Sequence, residues 1–201
     1  VGAGYSYGSQ GYTHHALEDI AILRALPNIE VLVPADPLET KKLTKLLAQN
    51  KQPSYFRLGK SNEEIIHQAA PKIDNGKFIK IRSGKVGTIL ATGSVLKLAL
   101  QAAELLSKSG SEVNVYSVPF VTNLDLEELN KICSEGRIVT VEEHSYRGGF
   151  GSAVLETCAL NGLKVDIKMV AAEQLNLSQI GSQAFLQHSN GISVEKIVDF
   201  F

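Results

Sequence analysis

Residues 7–21 read YGSQGYTHHALEDIA, which sets two adjacent histidines, a threonine and an acidic pair behind a glycine-rich approach. Imidazole titrates near neutral pH, so either His14 or His15 could hold or pass a proton. The same residues also suit a helix start. Thr13 is a good N-cap, and Glu18 and Asp19 stand where a helix dipole favours negative charge. Both readings stay open at this level. No metal site is expected from the histidine pair, because sequence neighbours leave a helix in different directions. Further on, Arg57 lies in SYFRLGK, at the end of a β-like run. Ligands collect at the carboxyl ends of strands in open α/β sheets, and a guanidinium there can grip a phosphate through paired hydrogen bonds. A surface ion pair is the alternative. Glu142, Glu143 and His144 precede a glycine turn, GGFGS (residues 148–152). Such a turn can cradle phosphate at a helix start, but glycine clusters usually serve backbone geometry, so structure or a subunit contact is the expectation. Cys133 and Cys158 are far apart in sequence and fit buried thiols in a reducing compartment better than a disulfide or metal site.

The elements that must position these residues alternate. A helix is expected after the opening loop, ended by Pro27 and Asn28. IEVLVPAD (residues 29–36) reads as a strand, and Asp36-Pro37 opens a helix running to Asn50. PSYFRLGK (residues 53–60) reads as the next strand. Residues 61–84 turn polar and carry an Asn-Gly turn, the composition of a linker. Beyond it, strands are expected over residues 85–93, 111–120, 136–144 and 164–171. The intervening helices cover residues 94–109, 125–133 and 148–162, with a last helix at 193–201. Ser94 is expected to cap the first of these. Strict alternation predicts an α/β fold of two three-layer units with mostly parallel sheets, the first incomplete.

The chain has 201 residues, 44% hydrophobic and 20% charged, with a net charge of −1. No basic stripe or acidic tail is visible, so nucleic acid and membrane surfaces are not expected partners. No apolar run nears the ~18 residues of a membrane span. The chain opens at Val1 on a glycine-rich stretch with no element before it, which suggests a piece of a longer protein.

GYTHHALEDIAILRALPNIEVLVPAD (residues 11–36), then PSYFRLGK, then VEEHSYRGGFGSAV (residues 141–154), together resemble the C-terminal part of transketolase-type enzymes. The resemblance implies thiamine diphosphate and Mg2+ as cofactors, with most of their binding groups outside this chain. Residues 1–60 would be the rear half of a pyrimidine-binding domain, 61–84 a linker and 85–201 the family's C-terminal domain. It implies a cytoplasmic enzyme moving a two-carbon ketol or acyl unit between carbonyl compounds, through an active site formed between subunits. The assembly would be a homodimer or a pairing with an N-terminal subunit, and the chain alone would be inactive. His14 matches the family histidine that faces the reactive thiazolium, a catalytic and cofactor-contacting position; His15 inherits no such role. The counterpart of Arg57 contacts a substrate phosphate. Gln10 stands where sugar-phosphate transketolases carry an aspartate, and Gly2 where they carry a histidine. That departure implies a changed substrate, an altered ketose or a 2-oxo acid donor such as pyruvate. Alternatives are a deoxyxylulose-phosphate synthase-like enzyme, a 2-oxo-acid dehydrogenase β chain, or a non-catalytic α/β module for dimerisation or small-ligand binding.

Overall fold

The computed structural model describes residues 1–173 and 178–201. Its first unit opens with a loop holding two 3-10 turns, Gly8–Gln10 and Tyr12–His14. Then come α1 (Asp19–Arg24), β1 (Glu30–Leu32), α2 (Pro37–Gln49) and β2 (Ser54–Phe56). β1 and β2 pair in parallel, Glu30 opposite Ser54 and Leu32 opposite Phe56. α2 starts as its sequence predicts: the Asp36 carboxylate accepts the Glu39 amide at 2.8 Å, and Pro37 stands in the first turn. α1 does not. It begins at Asp19, and Thr13 lies in the second 3-10 turn and caps no helix. The reason is tertiary. Gly4 and Ala16 form an antiparallel bridge, and Leu17 is buried, so the chain stays extended where local propensity would have wound it.

The second unit contains β3 (Ile79–Arg82), β4 (Gly87–Ala91), α3 (Leu96–Lys108), β5 (Asn114–Ser117) and α4 (Leu126–Glu135). It continues with β6 (Arg137–Ser145), α5 (Phe150–Leu160), β7 (Asp166–Ala172), α6 (Gln183–Ser189) and α7 (Val194–Val198). Its sheet has the order β3-β5-β4-β6-β7, parallel except for β3. β4 is buried throughout and β6 from Ile138 to His144, as befits central parallel strands covered on both faces. Strand alternation sends Ile89, Val139 and Val141 towards α3 and α7, where Leu96, Ala99 and Ile197 pack. Leu90 and Ile138 go to the opposite face, against Leu129, Ile132, Phe150 and Val154 of α4 and α5. This is the α/β architecture expected, with mostly parallel strands.

Three local expectations differ. β3 lies in the stretch read as linker; its Lys80 and Arg82 disguise an edge strand that needs only one apolar face. α6 went unread. Ser94 caps nothing: it sits inside a 3-10 turn, Gly93–Val95, that runs into α3 without a side-chain cap. The cysteines stay free thiols as expected, but the fold makes them neighbours. Their sulfurs lie 3.6 Å apart between α4 and α5, both thiols free.

The two units share one interior. The Val33 amide donates to the Pro119 carbonyl at 2.8 Å and the Val121 amide to the Val31 carbonyl at 3.0 Å, so the segment after β5 runs antiparallel beside β1. Ile20, Val31 and Val33 belong to the same apolar cluster as Leu90 and Phe150. Among the described residues no helix is long and apolar enough to cross a membrane.

Candidate functional site

The loop of residues 2–15 lies across the seam between the units, and its outer side carries Gln10, Thr13 and His14, all exposed. His14 is in the second 3-10 turn, with Nδ1 3.0 Å from the Thr13 hydroxyl. That contact occupies one ring nitrogen and leaves Nε2 as the one for outside chemistry. His15 turns inward. Its ring meets Tyr5 edge-on at 5.0 Å and Tyr12 at 6.2 Å. The two histidines are therefore separated in role by the turn.

Arg57 lies beneath the loop, 5% exposed. Its Nε donates to Asp19 Oδ2 at 2.7 Å and its Nη2 to Asp19 Oδ1 at 3.1 Å. Nη2 also donates to the Ala16 carbonyl at 2.7 Å and the Glu143 carbonyl at 3.1 Å. One guanidinium thus ties β2, the start of α1 and the end of β6 together. The ion pair is buried, not at the surface, and two of the three guanidinium nitrogens are spent inside the fold. This geometry favours an organising role over contact with a substrate phosphate. Burial pushes the Asp19 carboxyl up, but the bonds and charge of Arg57, helped by the Tyr55 hydroxyl, hold it below its ordinary value.

The end of β6 supplies the rest of the base. Glu142 is fully buried, and its two oxygens accept the amides of Phe150 at 2.6 Å and Gly151 at 2.8 Å. The helix start offered by GGFGS is therefore filled by an internal carboxylate, and no phosphate is needed to satisfy it. A Cβ on Gly149 would lie 2.2 Å from Glu142 Oε2, so that glycine is what lets the carboxylate reach the helix. Burial pushes Glu142 up to about 7 against the pull of those amides. His144 is buried too, its Nδ1 on the Ser145 carbonyl at 2.7 Å and its Nε2 3.4 Å from the Ala21 amide. Burial drives it down to about 4, so it is neutral at physiological pH. Arg24 bonds the carbonyls of Gly148 and Gly149 and pairs with Glu156, closing α1 onto α5.

Glu143 faces the other way. Its Oε1 accepts the Tyr5 amide at 2.6 Å, and its carboxylate also accepts from Gln183 and Gln187 of α6. Gln183 and Gln187 line a cleft of about 590 Å3 with Lys60, Glu63, Ser94 and Lys97; Gln10, His14 and Arg57 are not among its walls. The structure thus sets Gln10 and His14 on one exposed loop with Arg57 beneath it. The role of Glu143, Gln183 and Gln187 escaped the sequence reading. The one signal was three ionisable residues ending an otherwise apolar strand.

The model of the transketolase C-terminal domain matches residues 76–197, and that of the transketolase pyrimidine-binding domain matches residues 1–64. The chain is 37% identical over 169 residues to one subunit of an apulose-4-phosphate transketolase from Phocaeicola vulgatus, spanning 83% of this chain and 54% of that one. It is 35% identical over 191 residues to a 1-deoxy-D-xylulose-5-phosphate synthase from Thermus thermophilus, spanning 94% of this chain and 30% of the synthase. Among solved structures it superposes on a split-gene transketolase, an inactive beta4 tetramer, with a TM-score of 0.85 and 30% identity, over 98% of this chain and 62% of the other. The chain belongs to the transketolase family, with pyrimidine-binding-domain and C-terminal-domain sequence joined in one polypeptide.

Proposed function

We propose that this chain forms one wall of a thiamine-diphosphate-dependent active site, in a transferase that moves a two-carbon ketol or acyl unit between carbonyl compounds. The observation that carries the reading is an exposed histidine and amide on a loop whose underside is fully tied down: His14 and Gln10 above, Arg57, Asp19 and Glu143 below. Such a surface is preorganised for chemistry that takes place outside it.

When bound, thiamine diphosphate supplies the carbanion that adds to a carbonyl carbon. Among the described residues no three His, Cys, Asp or Glu side chains cluster so as to hold a metal ion. On the family's pattern, Mg2+ and the diphosphate would be held by groups beyond this wall. What the chain itself contributes is a proton site and a hydrogen-bonding edge. His14 would take or give a proton at Nε2 while Thr13 fixes the ring through Nδ1. Gln10 would both donate to and accept from a substrate hydroxyl or carbonyl, without the charge of a carboxylate. That neutral amide favours an altered ketose or a 2-oxo acid donor, which keeps a deoxyxylulose-phosphate synthase-like reaction as the second reading. Pairing with an N-terminal subunit is preferred to a homodimer, because the relatives include one subunit of a transketolase and a split-gene transketolase. The two free thiols suit a reducing, cytoplasmic setting.

His14→Ala in the assembled enzyme tests the reading. The exposed side chain makes the variant neutral for stability within about 0.5 kcal/mol. Turnover with ketose phosphate or pyruvate as donor should drop about 10²- to 10⁴-fold. Full turnover in a folded His14→Ala enzyme would overturn the assignment.

A further inference from the structure

We propose that Glu143, together with Gln183 and Gln187 of α6, is the positioning cluster of the loop that bears Gln10 and His14, so that the second unit takes part in the reaction by holding this loop. The proposal rests on the functional reading above.

The loop of residues 2–15 has no helix or strand to hold it beyond its two 3-10 turns and the Gly4–Ala16 bridge. Short turns of this kind do not keep one shape by themselves. The first unit anchors its start, where the Gly2 and Ala3 amides donate to the carbonyls of Gly59 and Leu58, and past Gly4 the bonds that reach it from outside the loop come from the second unit. Glu143 Oε1 accepts the Tyr5 amide at 2.6 Å, and the Gly181 amide donates to the Gly8 carbonyl at 3.3 Å. Leu186 of α6 is buried under Gly8, and Ile180 lies beside Gly11. At Gly4, φ is +58° and a Cβ would fall 2.5 Å from the Glu143 carboxyl carbon, so the loop backbone is laid directly on this side chain. The second unit therefore follows the loop from Gly4 to Gly11, up to the residues that carry the chemistry.

Glu143 is a costly choice for a spacer. It is 4% exposed, and burial pushes its carboxyl above its ordinary value. An apolar side chain would fill the space with less penalty. What only a carboxylate does is accept from every donor facing it without rearrangement. Gln183 Nε2 lies 3.1 and 2.9 Å from its two oxygens and Gln187 Nε2 2.9 Å from Oε2, in addition to the Tyr5 amide. The carboxylate thus joins the loop to both glutamines of α6.

The test has two arms. In this chain, hydrogen exchange is followed at the Tyr5, Gly8, Gly11 and His14 amides, with β4 and β6 amides reporting the fold. Glu143→Leu should speed loop exchange about tenfold or more while β4 and β6 keep their protection. If Glu143→Leu does not fold, Gln183→Leu with Gln187→Leu takes its place, because it spares the buried strand. Glu143→Gln still accepts from Tyr5 but turns an Nε2 donor towards Gln183 and Gln187, so it should recover part of the protection. In the assembled enzyme the loosened variants should lose kcat through the displaced His14 and raise KM through the displaced Gln10. Unchanged loop exchange in a folded variant overturns the proposal, as does a loosened loop with unchanged kcat. If the assembled wild-type enzyme has no transferase activity, the functional reading fails, and the exchange arm alone decides whether Glu143 holds the loop.

Discussion

Arg57→Ala separates the two roles open to that residue. If Arg57 served only a substrate, its removal would leave the free chain as stable as before. In the structure it is 5% exposed and forked onto Asp19 at 2.7 and 3.1 Å, with further bonds to the carbonyls of Ala16 and Glu143. Truncation leaves a largely buried carboxylate without its cation and two carbonyls without a donor. Breaking a buried pair from one side costs about 3–5 kcal/mol. The assay is equilibrium urea unfolding of wild type and variant at pH 7. The pH dependence adds a second signature. Asp19 is held below its ordinary 3.8, so its contribution is full above that value and is lost as pH falls through the lowered native value. The gap between wild type and variant should therefore narrow below about pH 4. A loss under about 1 kcal/mol at pH 7 would refute the organising role and return Arg57 to the substrate.

Other outcomes follow from the same base. Glu142 is pushed by burial from 4.5 to about 7, so the native state binds more protons than the unfolded one between those values. Wild type should lose about 3 kcal/mol relative to Glu142→Gln as pH rises from 4.5 to above 7, read from unfolding free energies at each pH. A flat difference would show that Glu142 stays ionised throughout. Gly149→Ala should destabilise by about 2 kcal/mol or more, because its Cβ falls on Glu142 Oε2 and must displace the carboxylate from the start of α5; thermal unfolding checks this. Cys133 and Cys158 are both pushed up by burial, Cys158 to about 12, so each should react far more slowly with a thiol reagent in the native protein than in denaturant.

Several features were legible in the residues because their causes are local or periodic. Asp36-Pro37 starts a helix through its own side chain and ring, whatever packs nearby. The apolar runs around residues 89 and 139 read as strands because a central parallel strand is buried on both faces and shows that in its composition. The sequence of the His14 loop was enough to single it out. Its conformation was not. Thr13 has the chemistry of a cap, yet the Gly4–Ala16 bridge and the burial of Leu17 delay the helix until Asp19. Arg57 could grip a phosphate or a carboxylate with equal ease, and only the fold put Asp19 within 2.7 Å. Cys133 and Cys158 look unrelated along the chain, and the packing of α4 on α5 makes them neighbours. Glu142 and Glu143 are adjacent and chemically identical, but strand alternation sends one to the start of α5 and the other to the loop of the first unit. Sequence determined which groups were available and which segments would be strands and helices. Tertiary structure decided which polar groups are spent on one another and which remain free for chemistry, because burial and partnership are set by what the fold brings across from elsewhere in the chain.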